Sequence, residues 1–121
     1  MTHILLIEDD ELIRESLSIG LEDGGYTVTL AADGKEGTAL LDKIVVDLVI
    51  TDLVMPEMEG IEVIQHIKQK FPNQKIIGIS GGGRNSATTY LNLAETLGAD
   101  AVLQKPFTIG ALREKIEGIL A

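Results

Sequence analysis

The sequence predicts an α/β fold: a doubly wound, five-stranded parallel sheet in strand order 2-1-3-4-5. Three observations lead there. Five short apolar runs alternate with amphipathic stretches, the pattern of βα units joined by right-handed crossovers. Three of the runs are unbroken Val, Ile and Leu, as in strands covered on both faces. Hydrophobic residues make up 45% of the 121 residues, and no linker, repeat or low-complexity stretch interrupts them, so one core and one domain over 1–121 are expected.

The elements follow in order. Residues 3–7, His-Ile-Leu-Leu-Ile, read as the first strand. Ile13, Leu17 and Leu21 then repeat at helical spacing, until Gly24-Gly25 stops the helix. A second strand is predicted over 26–31 and a less sharply marked helix over about 35–43. The third strand, 47–51, leads to a helix whose stripe is Ile61, Ile64, Ile67/Lys68 and Phe71, ended by Pro72. Residues 75–79 form the fourth strand, about 86–97 a weaker fourth helix, and 101–103 the fifth strand. Ile109, Leu112, Ile116 and Leu120 mark a last helix, which leaves no residues of this sequence for a second domain.

Composition removes whole classes of function. Ten basic against nineteen acidic residues give a formal charge of −9, which argues against nucleic acid as a partner. No Cys means no disulfide, thiolate metal site or thiol nucleophile. His3 and His66 cannot make a multi-histidine metal site; His3 is expected to begin a strand and His66 to face solvent. The longest apolar runs, 4–7 and 48–50, fall far short of a membrane span, and Met1-Thr2-His3 opens no signal peptide. A cytoplasmic protein with no membrane partner is the expectation.

Ligands of such sheets bind beyond the carboxyl ends of the strands, where the strand order reverses. The first strand is followed there by Glu8-Asp9-Asp10-Glu11, the third by Thr51-Asp52, the fourth by Ser80 and the fifth by Gln104-Lys105-Pro106. Taken singly, such residues are helix caps or solvated loop ends. Jointly, they bring Glu8, Asp9 and Asp52 to one rim. Two like charges 4 Å apart repel by about 4 kcal/mol at an effective dielectric near 20. The cluster must therefore raise its pKa values or hold a cation, for which a hard divalent ion such as magnesium is the simplest choice. Lys105 can contact a carboxylate or a phosphoryl oxygen, Ser80 can donate a hydrogen bond, and Asp52 can act as nucleophile and become an aspartyl phosphate. Asp10 is the weaker candidate ligand, better suited to capping the first helix.

At these residues the chain resembles the receiver domain of two-component response regulators, of the chemotaxis-type stand-alone kind, over essentially its whole length. The resemblance is carried by Ile4-Leu5-Leu6-Ile7-Glu8-Asp9-Asp10, by Asp52-Leu53-Val54-Met55-Pro56 with Gly60, by Ile79-Ser80, and by Lys105-Pro106-Phe107. It implies the flavodoxin-like receiver fold, with Asp52 as phospho-acceptor and magnesium or manganese as cofactor. Asp9 would bind the ion directly, Glu8 largely through water, and Val54 through its backbone carbonyl. Ser80 would bind a phosphoryl oxygen, Lys105 would pair with Asp52 or its phosphate, and the Lys105–Pro106 peptide would be cis. The implied donor is a sensor histidine kinase or histidine phosphotransfer protein docking beside the first helix. The output is altered docking to a downstream protein through the fourth helix, fifth strand and fifth helix. The chain would be no enzyme beyond its own phosphotransfer and dephosphorylation. Two other readings, a phosphorylation-independent adaptor and an Asp-nucleophile phosphatase, are less well supported. Val54 stands where the phosphatase would need its acid/base. Gly78-Ile79-Ser80-Gly81-Gly82 formally matches a hydrolase nucleophile elbow, but both histidines precede Ser80.

Several positions depart from the family pattern or extend it. Val102 replaces the usual Tyr, Phe or His three residues before the lysine, so an aromatic switch is not available. The interval from Ser80 to Lys105 is long, and Gly81-Gly82-Gly83-Arg84-Asn85-Ser86 is either a flexible loop or one that closes on the phosphoryl group through its amides or Arg84. Val54 and Gly82 cannot position water, which predicts slow self-dephosphorylation. Leu12 and Ile19 lie roughly 100° or more around the first helix from its apolar stripe. They are extra core, a scattered surface pair, or a docking patch for the donor. Arg113 and Lys115 read as ordinary surface residues.

Overall fold

The computed structural model describes residues 2–53, 60–80, 92 and 94–121. Strands β1 (His3–Ile7), β2 (Thr27–Ala31), β3 (Leu48–Asp52), β4 (Lys75–Ser80) and β5 (Ala101–Gln104) form one parallel sheet in the predicted order β2-β1-β3-β4-β5. Helices α1 (Glu11–Asp23), α2 (Gly34–Leu41) and α3 (Gly60–Lys70) and the C-terminal helix (Ile109–Leu120) cover it.

The unbroken apolar runs have a direct cause. Side chains alternate across a strand, so a strand covered on both sides needs hydrophobic residues at every position. Leu5 and Ile7 of β1 join Val49, Leu53, Ile64 and Ile67 in one core, on the side of α3. Ile4 and Leu6 join Leu48, Ile50, Leu21, Leu112 and Ile116 in the other, on the side of α1 and the C-terminal helix. Edge strand β2 has exposed Thr27 and Leu30 instead, and β5 is only half-buried.

Element ends are set by side chains that replace missing backbone partners. Asp10, Asp33 and Thr108 each cap a helix by accepting an N–H three residues on, at 3.0, 2.8 and 3.0 Å. At the end of α1, the Tyr26 N–H bonds the Leu21 carbonyl at 3.2 Å, so β2 begins one residue later than predicted. Gly25 supplies the turn with φ +93°. Asp47 likewise stays outside β3, because its N–H and carboxylate both bond the backbone of His3 at 2.8 Å. The turn at 42–43, whose N–H groups bond Ala39 and Leu40, stops α2 short of the predicted end. Of the helix predicted over about 86–97, residues 92 and 94–97 are helical and the rest lies outside the described residues.

One surface assignment is corrected. Arg113 is half-buried: its guanidinium donates to the Gly20 carbonyl and lies against Gly24, joining the C-terminal helix to α1. A Cβ at Gly24 would lie 2.8 Å from the Arg113 Nε, so the glycine leaves room for the guanidinium. Lys115 is exposed, as expected.

Candidate functional site

Parallel pairing carries the carboxyl ends of four strands to one rim. Ile7 lies opposite Thr51, Asp52 opposite Ile79, and Ser80 opposite Gln104. Glu8 and Asp9 therefore leave β1, Asp52 ends β3, Ser80 ends β4 and Lys105 follows β5 at one level. The order reverses at β1, whose neighbours are β2 and β3.

The predicted carboxylates meet. Glu8, Asp9 and Asp52 each offer an oxygen, and these oxygens lie within 4.8 Å of one another. Lys105 Nζ donates to Glu8 Oε1 at 3.0 Å and to Asp52 Oδ2 at 3.1 Å. Glu8 is 2% exposed and its second oxygen accepts the Asp10 N–H at 3.2 Å. Burial, and then the neighbouring Asp52 charge, push the Glu8 carboxyl up to about 7; the Asp10 amide and Lys105 oppose that rise. For Lys105, burial pulls downward. The Asp52 charge and the hydrogen bonds to Glu8 and Asp52 outweigh it and lift the ammonium above its ordinary 10.5. Lys105 thus bonds two of the three clustered acids, while exposed Asp9 is open to solvent. The donor set, all hard oxygen with charge left over, fits a divalent ion such as magnesium.

Asp52 is held from several sides. Thr51 Oγ1 donates to its carbonyl at 3.0 Å, and the next amide, Leu53 N–H, continues the ladder to Ile79 at 2.8 Å. Gly60, at the start of α3, donates its N–H to the Leu53 carbonyl at 3.2 Å and passes directly over this backbone. The Ser80 hydroxyl is fully buried and has no hydrogen-bond partner among the described residues. An unmet buried hydroxyl costs about 1–3 kcal/mol. Ser80→Ala should therefore leave metal-free stability unchanged or raise it by about 1 kcal/mol, measured as a urea midpoint. A loss of stability would show that the hydroxyl is already satisfied.

Other predicted residues are placed as follows. Asp10 caps α1 and is not one of the clustered acids. The Lys105–Pro106 peptide is cis, and Pro106 is exposed. Val102 is half-buried against the α3-side core, opposite Gly78 of β4. Leu12 and Ile19 are 78% and 62% exposed, which rules them out as extra core. Leu12, Ile13 and Leu17 border an open, largely apolar cavity of about 350 Å³ whose other wall is Lys105, Pro106 and Phe107. His66 is exposed, and His3 begins β1 with its ring Nε2 2.6 Å from Thr29 Oγ1. Val54, Gly81, Gly82, Arg84 and the loop over 81–86 lie outside the described residues.

One residue at the site escaped the sequence reading. Arg14 Nη1 donates to the Glu8 carbonyl at 2.8 Å and reaches the Asp9 carbonyl at 3.5 Å. The available signal was an arginine near the N-terminus of α1, where a positive charge opposes the helix dipole.

Comparison with known proteins agrees with this fold. Residues 4–117 match the family model described as the response regulator receiver domain. The chain is similar to Response regulator SaeR of Staphylococcus aureus strain USA300, at 32% identity over 120 residues, 99% of this chain and 51% of that protein. It thus spans about half the length of the curated relatives it matches. Among solved structures, a response regulator receiver domain protein from Clostridium thermocellum superposes with a TM-score of 0.92 at 30% identity, covering 99% of this chain and 94% of that one. Chemotaxis protein CheY4 of Vibrio cholerae superposes with a TM-score of 0.88 at 29% identity, covering 99% of each. Among the described residues, no helix is long and apolar enough to cross a membrane.

Proposed function

We propose, because this chain belongs to the response regulator receiver family, that Asp52 accepts a phosphoryl group from a histidine kinase or a histidine phosphotransfer protein, and that the phosphorylated domain, spanning 1–121, signals by altered docking to a partner protein. The observation that carries this reading is the pairing at Asp52. Its carboxylate has a lysine ammonium at 3.1 Å, while the buried Ser80 hydroxyl on the neighbouring strand has no described partner.

The residues divide the work. An Asp52 oxygen attacks phosphorus as the bond to the donor's imidazole nitrogen breaks, which requires that carboxylate to be ionised and close at hand. The transferring group carries its charge on its equatorial oxygens, so catalysis is mostly positioning and electrostatics. Lys105 can follow that charge from the carboxylate to the phosphoryl oxygens, and Ser80 can donate to another. Asp9 and Asp52 would hold a magnesium or manganese ion, with Glu8 through water and Val54 through its carbonyl. When bound, the ion supplies charge neutralisation and orientation at the phosphoryl oxygens. Leu12 and Ile19 supply an exposed apolar patch on α1 suited to the donor. Val102 carries no ring, so the response must leave the site by another route. The chain turns over no substrate besides its own phosphoryl group, and the cytoplasm is the compartment this role requires.

The test is mass spectrometry after incubation with magnesium and a small acyl-phosphate donor. A single persistent phosphoryl adduct is expected, and complete loss of it in Asp52→Ala. No adduct in the unaltered protein would turn the reading toward an adaptor, and donor turnover without an adduct toward a phosphatase.

A further inference from the structure

We propose that Arg14 is a positioning residue for the cation site, an assignment that rests on the magnesium reading above. The acidic turn between β1 and α1 must present Asp9 from an exposed position toward buried Glu8 and Asp52. The turn is anchored at its start by the Glu8 N–H on the Ala31 carbonyl at 3.1 Å, and at its end by the Arg14 N–H on the Asp10 carbonyl at 2.9 Å. Between these anchors the carbonyls of Glu8 and Asp9 point to the Arg14 guanidinium, at 2.8 and 3.5 Å. A planar guanidinium can hold both carbonyls at once, which fixes the backbone that carries the two acids.

Two simpler roles predict other outcomes. If Arg14 served only helix stability, its removal would do no harm, since a cation near a helix N-terminus is unfavourable. If it acted only as a charge, its removal would tighten magnesium binding by taking away a like-signed neighbour. Positioning predicts the opposite sign: without the guanidinium the turn loosens and affinity falls, despite the lost repulsion.

Magnesium chloride is titrated calorimetrically into the unaltered protein, Arg14→Met and Arg14→Lys above neutral pH, with metal-free melting curves recorded beside each. Arg14→Met is expected to bind about tenfold more weakly, and Arg14→Lys to fall between, at unchanged metal-free melting temperature. Equal or tighter binding by Arg14→Met overturns the proposal. If Arg14→Met is unfolded at the titration temperature, Arg14→Lys decides, and affinity equal to the unaltered protein overturns it. An unaltered protein that takes up no magnesium removes the cation site itself, a failure distinct from one confined to the variants.

Discussion

Gly60→Ala is expected to cost about 3 kcal/mol or more of stability, measured as a shift of the urea midpoint at constant slope. A methyl group at position 60 would sit 2.5 Å from the Leu53 Cα and 2.8 Å from the Asp52 carbonyl carbon. Neither neighbour is a flexible side-chain tip; both are backbone at the end of β3, tied into the sheet by the Leu53–Ile79 hydrogen bond of 2.8 Å. Relief therefore requires α3 to back away or Asp52 to shift, and a displaced Asp52 would also form less phosphoryl adduct. Gly118→Ala is the internal control. It lies in the C-terminal helix with open space around its missing side chain, so the same substitution should stabilise by about 0.5–1 kcal/mol. A Gly60→Ala midpoint equal to that of the unaltered protein would mean that α3 does not pack where the backbone places it.

Metal-free protein should lose stability as the pH rises from about 4.5 to about 7, by up to roughly 3 kcal/mol, and magnesium should restore it. The sign follows from Glu8. Its carboxyl is raised in the folded state, so between those limits the folded chain binds more protons than the unfolded one, and stability falls with pH. The contribution is fully present below the unfolded value and gone above the folded one. Lys105, raised above 10.5, loses its own contribution only in strongly alkaline solution and leaves this window untouched. A dication favours the ionised acid, so its affinity should weaken on acidification below about 7, by up to tenfold for each pH decrement while one proton is displaced. Thermal melts with and without magnesium, across pH, read both effects. Glu8→Gln should flatten the metal-free slope; an unchanged slope in that variant would assign the titration to another group.

Much of the molecule was legible because its determinants are periodic or terminal. The strands announced themselves as runs without polar interruption, which two-sided burial demands of β1 and β3. Asp52, Ser80 and Lys105 were readable because each directly ends or follows such a run, and parallel strands deliver their ends to one level. What stayed hidden depends on distance in space rather than position in sequence. Arg14 and Arg113 act by donating to backbone carbonyls, and every residue has one, so no residue pattern marks the acceptor. The boundary at Asp47 moved because a carboxylate took the place of a ladder bond. That Glu8 is pushed toward neutrality follows from the fold's enclosing that carboxylate, which its place in the sequence does not mark.

Lys105 and Glu8 stand 97 positions apart along the chain, yet share a 3.0 Å contact, and the same nitrogen also grips Asp52. The first, third and fifth strands are thereby stapled at a single atom, directly ahead of the C-terminal helix. If Asp52 becomes an acyl phosphate, as proposed, what that staple can hold would change. Such a change would be expected to reach the residues leading into the C-terminal helix through Lys105, without a rotating ring to relay it.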